Sequence, residues 1–249
     1  MATSTLTGTT GNDVLNAPSN VLVTTATLVA GFQGNDTITL SLAADQAQAG
    51  AGDDSIAVNI AGATLNTIVA GSGNDSVTLA TGNLTFNGSL GLNEGDDFLS
   101  NTGTQFIGGT IGGNAGNDTI TLAGGLVSTT LGAGKNHDSI ALTAGNLSVA
   151  GVLGGAGADS ITLNGAQTFA SSTIQSSDGH DRVDVTGLGT WTNSVIAMGR
   201  GLDSIQLSSA VTASVAGGAQ DDTISFNGNA IGHGAIIFGD GLTSTDATT

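Results

Sequence analysis

The sequence predicts an all-β fold: a single parallel β-solenoid of about 11 to 12 coils, with about 21 residues per coil and essentially no helix. Three observations lead to this prediction: a recurring motif, two aliphatic columns and strand-type alternation. The motif is clearest as GNDTITL at residues 116–122, where glycine stands two residues before Asp118 and aliphatic residues follow two and four positions after it.

The motif recurs along nearly the whole chain. Successive copies are separated by 18 to 23 residues, and their aspartates are Asp13, Asp36, Asp54, Asp75, Asp97, Asp118, Asp138, Asp159, Asp181, Asp203, Asp222 and Asp240. A period of this length is typical of a solenoid, in which each repeat buries its apolar face against its neighbours.

Two aliphatic columns accompany the aspartates. Two residues after each aspartate stand Leu15, Ile38, Ile56, Val77, Leu99, Ile120, Ile140, Ile161, Val183, Ile205, Ile224 and Leu242. Seven residues before stand Leu6, Val29, Ala47, Ile68, Leu90, Ile111, Leu131, Val152, Ile174, Ile196 and Val215, and His233 breaks the column in the last repeat. These columns predict the inward side chains of the coils.

The segments around the columns alternate as strands do. Ile38-Thr39-Leu40 and Leu84-Thr85-Phe86 place apolar side chains at every second position, which is the period of a strand with one buried face. Each coil has room for two or three short strands. We therefore expect residues 1–242 to form a single solenoid and residues 243–249 a polar C-terminal tail.

The composition favours a thin, acidic and extended protein. Aromatic residues make up only 3%, so we expect a narrow core of aliphatic side chains, with the single Trp191 as a packing or surface residue. The net charge is −17, and the only basic side chains besides histidine are Lys135, Arg182 and Arg200, so no nucleic acid partner is expected. No apolar run is long enough for membrane insertion, and the absence of cysteine excludes disulfides and thiolate metal sites.

The acidic residues are concentrated in the aspartate column, which points to a cation. Carboxylates stacked at the spacing of neighbouring strands repel one another by roughly 3 kcal/mol per pair at an effective dielectric constant of 20. Oxygen ligands from carboxylates and turn carbonyls suit Ca²⁺. A metal-free ladder of turn-capping aspartates is the alternative that the residues leave open.

The motifs resemble a known repeat. GFQGNDTITL, GSGNDSVTL, GNAGNDTITL and GGAGADSITL are similar to the nonapeptide GGxGxDxUx of RTX proteins, including those of bacterial surface layers. The resemblance implies that the twelve aspartates are Ca²⁺ ligands shared between coils. It also implies that carbonyl groups of the preceding turns contribute, at Gly34, Gly52, Gly73, Gly95, Gly116, Gly157, Gly179 and Gly201. Because one motif serves each coil, we expect several ions in one column. Asn136, Gln220 and Phe238 replace the glycine in three repeats.

The resemblance further implies a secreted protein of the bacterial cell surface. RTX proteins leave the cell by type I secretion without a cleaved N-terminal signal and fold outside, where Ca²⁺ is abundant. The start MATSTLTGTT, which has neither a basic nor an apolar region, agrees with that route.

The leading functional prediction is a structural protein that is not an enzyme. No capping unit is visible at either end, so we expect head-to-tail self-assembly into a filament or surface layer, with a cell-surface polysaccharide as a further candidate partner. No HExxH or GxSxG motif occurs, and His137, His180 and His233 fall in predicted turns. The alternatives are a Ca²⁺-dependent ice-binding or adhesin-type module and, less favoured, a polysaccharide-modifying β-helix enzyme.

Overall fold

The computed structural model describes residues 5–16, 28–41, 46–59, 64–79, 82–103, 105–165, 168–187, 189–207, 213–226 and the strand at 236–238. These residues form 28 β-strands arranged in two parallel sheets. Within these ranges there is no helix, and accordingly none that is long and apolar enough to cross a membrane. The predicted C-terminal tail lies outside the described residues.

The first sheet contains the strands that follow the aspartates. Its 11 strands pair in parallel in chain order: β2 (Val14–Asn16), β4 (Thr37–Leu40), β6 (Ser55–Val58), β8 (Ser76–Leu79), β10 (Phe98–Asn101), β13 (Thr119–Leu122), β16 (Ser139–Leu142), β19 (Ser160–Leu163), β22 (Arg182–Val185), β25 (Ser204–Leu207) and β27 (Thr223–Phe226). Each strand pairs with the corresponding strand one repeat later, so the fold is a parallel β-solenoid.

The second sheet contains the strands that lead into the aspartate turns. They are β1 (Thr5–Thr7), β3 (Leu28–Gln33), β5 (Gln46–Ala51), β7 (Thr64–Ser72), β9 (Asn83–Glu94), β12 (Thr110–Ala115), β15 (Thr130–Lys135), β18 (Gly151–Ala156), β21 (Thr173–Asp178), β24 (Val195–Arg200), β26 (Ser214–Ala219) and β28 (Ile236–Phe238). Five short strands form a third side of the later coils: β11 (Gln105–Ile107), β14 (Gly125–Val127), β17 (Leu147–Ser148), β20 (Thr168–Ala170) and β23 (Thr190–Thr192). Strand β9 pairs with both β11 and β12, and so joins the two rows.

Both predicted aliphatic columns are confirmed by the strand register. Leu99 lies opposite Val77 and Ile120, and Leu90 lies opposite Ile68 and Ile111, as the repeat requires. All members of the two columns from Val29 to Ile224 are buried. The side chains of the two columns project from opposite sheets and together fill the space between them.

The last repeat is aligned differently from the prediction. Strand β28 pairs with β26 so that Ile237, rather than His233, lies opposite Val215. Asp240 follows Ile237 by only three residues, whereas Asp222 follows Val215 by seven. The prediction that Asp240 belongs to the aspartate column therefore rests on its motif alone. Asp240, Leu242 and His233 themselves lie outside the described residues.

The core is not purely aliphatic, contrary to the expectation from composition. Phe86 and Phe106 stack with ring centroids 5.5 Å apart, and Phe169 and Trp191 stack at 4.0 Å. All four rings are at most 3% exposed. They belong to the row of short strands and the adjoining part of β9, where the coil is wide enough for large side chains. Trp191 is therefore a packing residue, which is one of the two roles predicted for it.

Candidate metal centre

Each aspartate turn from Asp36 to Asp222 is built from two backbone positions with positive φ. Residues four before the aspartate include Gly50, Gly71, Asn93 and Asn114, and all have φ between 81° and 131°. The second position stands two before the aspartate. It holds Gly34, Gly52, Gly73, Gly95, Gly116, Asn136, Gly157, Gly179, Gly201 and Gln220, with φ between 79° and 153°.

This second position contains every glycine that was predicted to lend a turn carbonyl. A methyl carbon at Gly116 would lie 1.8 Å from the carbonyl oxygen of Gly95 in the preceding coil, so the stacking itself requires glycine there. Asn136 and Gln220 adopt the same backbone conformation, because side chains can enter the left-handed region at some cost. The turn geometry therefore continues through the repeats that depart from the motif.

The aspartates form a ladder of hydrogen bonds along the stack. The backbone N–H of each aspartate donates to Oδ1 of the aspartate in the next coil, at 2.7–3.0 Å, through ten consecutive steps from Asp13 to Asp222. This is the turn-capping ladder that the sequence left open as the metal-free alternative. It uses only one oxygen of each carboxylate.

The other carboxylate oxygen is buried without a hydrogen-bond partner. This holds for Oδ2 of Asp36, Asp54, Asp75, Asp97, Asp118, Asp138, Asp159, Asp181 and Asp203. Each of these residues is at most 3% exposed. A buried acceptor that lacks a partner destabilises a fold unless a proton or a cation satisfies it. The ladder therefore orients the carboxylates and leaves one oxygen of each available for a cation.

Burial raises the pKa of seven of these carboxyl groups, those of Asp54, Asp75, Asp97, Asp118, Asp138, Asp159 and Asp203. The pKa of Asp75 and of Asp138 rises from 3.8 to about 7, because desolvation outweighs the hydrogen bond from the preceding aspartate and the neighbouring carboxylates add repulsion. The pKa of Asp118 rises to about 6, again mainly through burial. In the absence of a cation, the charged form of these carboxyl groups is thus disfavoured.

Main-chain oxygens converge on the same space as the free carboxylate oxygens. A methyl carbon at Gly113 would lie 2.2 Å from Asp118 Oδ2 and 2.3 Å from the carbonyl oxygen of Ala133 in the next coil. The corresponding distances at Gly31 are 2.1 Å to Asp36 Oδ2 and 2.4 Å to the Ala49 carbonyl oxygen. Two acceptor oxygens that line one small space fit a hard cation such as Ca²⁺. The residues present therefore fit the predicted ion.

Carbonyl groups are needed because the carboxylates alone do not form a cluster. Among the described residues, no three His, Cys, Asp or Glu side chains come together at one point. Asp13 differs from these nine aspartates, since its Oδ2 accepts hydrogen bonds from the Thr9 N–H at 2.6 Å and from the Thr9 hydroxyl at 3.0 Å. The predicted ligand at Asp13 is therefore already partnered by protein.

A second ladder, which the sequence analysis did not predict, runs through the residues directly before the aspartates. The N–H of Asn35 donates to Asn12 Oδ1 at 2.9 Å, and the same bond recurs in the next coils down to His137. His137 Nδ1 accepts the N–H of Ala158 at 2.8 Å, and His180 Nδ1 likewise accepts from Leu202. Both histidines are therefore turn residues, as predicted. The prevalence of Asn and Asp in this column was the signal available in the sequence.

Comparisons with known proteins agree with this geometry. Residues 3–17, 30–59 and 60–91 match the RTX calcium-binding nonapeptide repeat in four copies. In these residues the repeats are similar to the RTX type. The predicted resemblance is confirmed for this part of the chain, and the match supports Ca²⁺ as the cation of a β-solenoid. No curated protein sequence matches the chain.

A solved structure shares the fold. The crystal structure of a hyperactive, Ca²⁺-dependent, β-helical antifreeze protein from an Antarctic bacterium superposes with a TM-score of 0.56 and 15% sequence identity. The match covers 96% of this chain and 81% of that chain. At this identity the similarity concerns the fold, which it confirms as a parallel β-solenoid with about 21 residues per turn.

Proposed function

We propose that this protein is a secreted structural β-solenoid whose aspartate turns bind Ca²⁺ and whose folding depends on it. The observation that carries the proposal is the row of nine buried Oδ2 atoms without a hydrogen-bond partner. Protein groups satisfy the other carboxylate oxygen at every step, so the protein supplies the orientation but not the counter-charge. The RTX repeat match supports Ca²⁺ as the source of that charge.

At each gap between coils, one group of the chain orients the carboxylate and other groups supply the oxygens that face the cation. The Asp97 N–H holds Asp118 through Oδ1 at 3.0 Å, which fixes the direction of the carboxylate. Oδ2 of Asp118 and the carbonyl oxygen of Ala133 then face the same space from successive coils. When bound there, Ca²⁺ supplies positive charge that offsets the desolvation and mutual repulsion of the carboxylates.

This dependence connects the site to an extracellular role. Cations that bind the stacked coils and not the unfolded chain stabilise the fold by mass action. A column of low-affinity sites would therefore fold at the millimolar Ca²⁺ found outside cells and remain unfolded before export. The proposal includes no catalytic activity, and the described turns serve the stacking of the coils.

Circular dichroism and thermal unfolding test the Ca²⁺ dependence. We expect a β-sheet spectrum and a cooperative transition in millimolar Ca²⁺, and loss of both after exhaustive removal of metal at pH 8. Restoring Ca²⁺ should restore the spectrum, while Mg²⁺ should do so poorly because it prefers a smaller, octahedral site. An unchanged β spectrum in metal-free buffer would refute the proposal in favour of the metal-free ladder.

The proposal also includes head-to-tail assembly of the protein into a filament or surface layer. Every strand pairs in parallel with its counterpart in the adjacent coil, so a second molecule could continue the same ladder along the same axis. Negative-stain microscopy at millimolar Ca²⁺ tests this point. Filaments or lattices that disappear on chelation are expected, and particles of single-molecule length at all concentrations would contradict assembly.

Ice binding is the second candidate, because the solved structure of similar fold is that of a Ca²⁺-dependent antifreeze protein. The outward side chains at the turn edge do not favour it over a structural role. Three residues before successive aspartates they include Glu94, Lys135, Asp178 and Arg200, a charged and irregular row. A thermal-hysteresis measurement in Ca²⁺ distinguishes the two candidates, since a structural protein should leave the freezing point unchanged.

A further inference from the structure

The residue five positions before each aspartate differs between coils: it is glycine in some coils, Ser176 or Met198 in two, and Ala49, Ala70, Leu92 or Ala133 in four. Its side chain points inward beside the carboxylate. We call a coil with glycine at this position a glycine coil, with Gly31, Gly113 and Gly154 as examples. In these three coils a methyl carbon would collide with Oδ2 of the coil's own aspartate, at 2.1–2.6 Å. The space over the glycine is thus lined by Oδ2 and by a carbonyl oxygen of the next coil.

One coil fills this space with a hydrogen-bond donor. Ser176 stands five residues before Asp181, is fully buried, and donates its hydroxyl to the carbonyl oxygen of Met198 in the next coil at 2.8 Å. That carbonyl corresponds to those of Ala49 and Ala133, which face the free carboxylate oxygens in the glycine coils. In this coil a protein hydroxyl therefore satisfies the oxygen that a cation would otherwise satisfy.

The following coil fills the space with an apolar side chain. Met198, five residues before Asp203, is fully buried, and its Sδ lies 3.7 Å from Ser176 Oγ. A thioether is a poor ligand for Ca²⁺, which selects oxygen. The gap between the coils of Asp181 and Asp203 thus keeps the Oδ2 of Asp181, but Ser176 occupies its free volume and takes up its main-chain oxygen.

We propose that the Ca²⁺ column is interrupted at the gap between Asp181 and Asp203, where the Ser176 hydroxyl takes the place of a cation. The proposal rests on the Ca²⁺-binding function proposed above and adds which gaps hold an ion. The glycine coils of Asp36, Asp118 and Asp159 bind Ca²⁺, and the solenoid is divided at Ser176 by a joint that holds no ion and leaves Asp181 Oδ2 without a partner. Coils on either side of this joint respond to Ca²⁺ as separate segments.

The decisive experiment counts Ca²⁺ ions bound per chain by native mass spectrometry of the folded protein. Ser176→Gly frees the Met198 carbonyl and opens the space, so we expect one more bound ion than in the parent protein. The matched control is Ser172→Gly, which removes another buried serine whose hydroxyl donates to a carbonyl, Ala170, at 3.0 Å. Ser172 is at the opposite bend, and its replacement should leave the ion count unchanged.

The reverse substitution provides an independent arm. Gly113→Ser places a hydroxyl beside Asp118 and the Ala133 carbonyl, and we expect the loss of one ion. Ser176→Ala should lower the melting temperature equally in Ca²⁺ at pH 8 and in metal-free protein at pH 4.5, because the bond that it removes involves no ion. An unchanged ion count in folded Ser176→Gly would overturn the interruption. If that variant does not fold, retention of the full count in Gly113→Ser would overturn it instead.

The two proposals fail in distinguishable ways. If the parent protein binds no Ca²⁺ and keeps its β spectrum without metal, the Ca²⁺-binding function itself is wrong. If the parent binds Ca²⁺ and needs it to fold, but the serine and glycine exchanges leave its ion count unchanged, the function stands and only the interruption is wrong.

Discussion

The aspartate turns and the opposite bend at Ala150, Ser172 and Ser194 hold successive coils together by the same kind of bond but with different chemistry. At the turn, a backbone N–H donates to the carboxylate of the next coil. At the bend, the N–H of Ala150 donates to Ser172 Oγ, and the N–H of Ser172 donates to Ser194 Oγ, each at 3.2 Å. Both arrangements place a side-chain oxygen over the backbone of the preceding coil.

The difference lies in whether the side chain that accepts this hydrogen bond can also donate one. The hydroxyls of Ser172 and Ser194 carry their own protons and donate them to the carbonyl oxygens of Ala170 and Thr192. A carboxylate has no proton to donate, so the Oδ2 atoms of the turn remain unsatisfied. The bend is therefore complete in protein atoms alone, and the turn needs a cation or a proton from outside.

The largest contrast is expected from pH in metal-free protein. Burial raises the folded-state pKa of Asp75 and Asp138 to about 7, above the ordinary value of 3.8. Between these values the folded state binds more protons than the unfolded state, so stability should fall as the pH rises from about 4 to 7. Urea unfolding at pH 4.5 and at pH 8 measures the effect. Greater stability at pH 8 in metal-free buffer would show that the turn carboxylates are not desolvated.

Removing one turn carboxylate should have the next largest effect. Asp118→Ala deletes both the acceptor of the Asp97 N–H and the free Oδ2, and we expect a loss of about 3 kcal/mol in Ca²⁺, in the range seen when a metal ligand and a buried hydrogen bond are lost together. Asp178→Ala is the control, because Asp178 is an exposed member of the turn. Chemical denaturation in Ca²⁺ compares them, and equal tolerance of both changes would indicate that the column binds no ion.

Breaking the bend should cost less and should not depend on Ca²⁺. Ser172→Ala leaves the Ala150 N–H without its partner and removes one of the two donors to the Ala170 carbonyl, which corresponds to a loss of about 1–3 kcal/mol. We expect the same loss in Ca²⁺ at pH 8 and in metal-free protein at pH 4.5. A loss that appears only in Ca²⁺ would mean that the two corners are energetically coupled.

The smallest effect concerns backbone strain at the bend. Val149 is 64% exposed and has φ of 52°, a conformation that a β-branched side chain adopts at a cost. Val149→Asn should stabilise the protein by roughly 0.5–1 kcal/mol, since Asn tolerates this region and stands at the equivalent position as Asn193. Val195→Asn is the control, because Val195 is also exposed but lies in strand β24. Thermal unfolding should show stabilisation by the first change only.

The sequence predicted the parts of the coil that keep a fixed distance from the aspartate. The columns of Ile120 and Ile111 lie two residues after and seven before Asp118, and the same offsets hold in the other described coils. A side chain at a constant offset is visible as a column, and alternation identifies its inward face. The turn, the first sheet and the inward aliphatic residues were therefore predictable.

The third side of the coil has no such constant offset. Phe106 follows Asp97 by nine residues, Leu126 follows Asp118 by eight, and Trp191 follows Asp181 by ten. The number of residues between the aspartate and the short strand differs from coil to coil, so the aromatic stack could not be aligned from the pattern. The use of main-chain oxygens beside Oδ2 was also hidden, because any residue carries a carbonyl group. Only the preference for small residues five before the aspartate hinted at it.

The ladders also determine how the molecule responds to mechanical load. Each coil bonds only to its immediate neighbours, so tension applied along the chain loads one gap at a time. The outermost coil then peels away while the remaining stack keeps its bonds. Every such event would release a coil of about 21 residues, or roughly 70 Å of extended chain. Under tension, the solenoid would lengthen in regular steps. The force at each step would measure the strength of the bonds between two neighbouring coils.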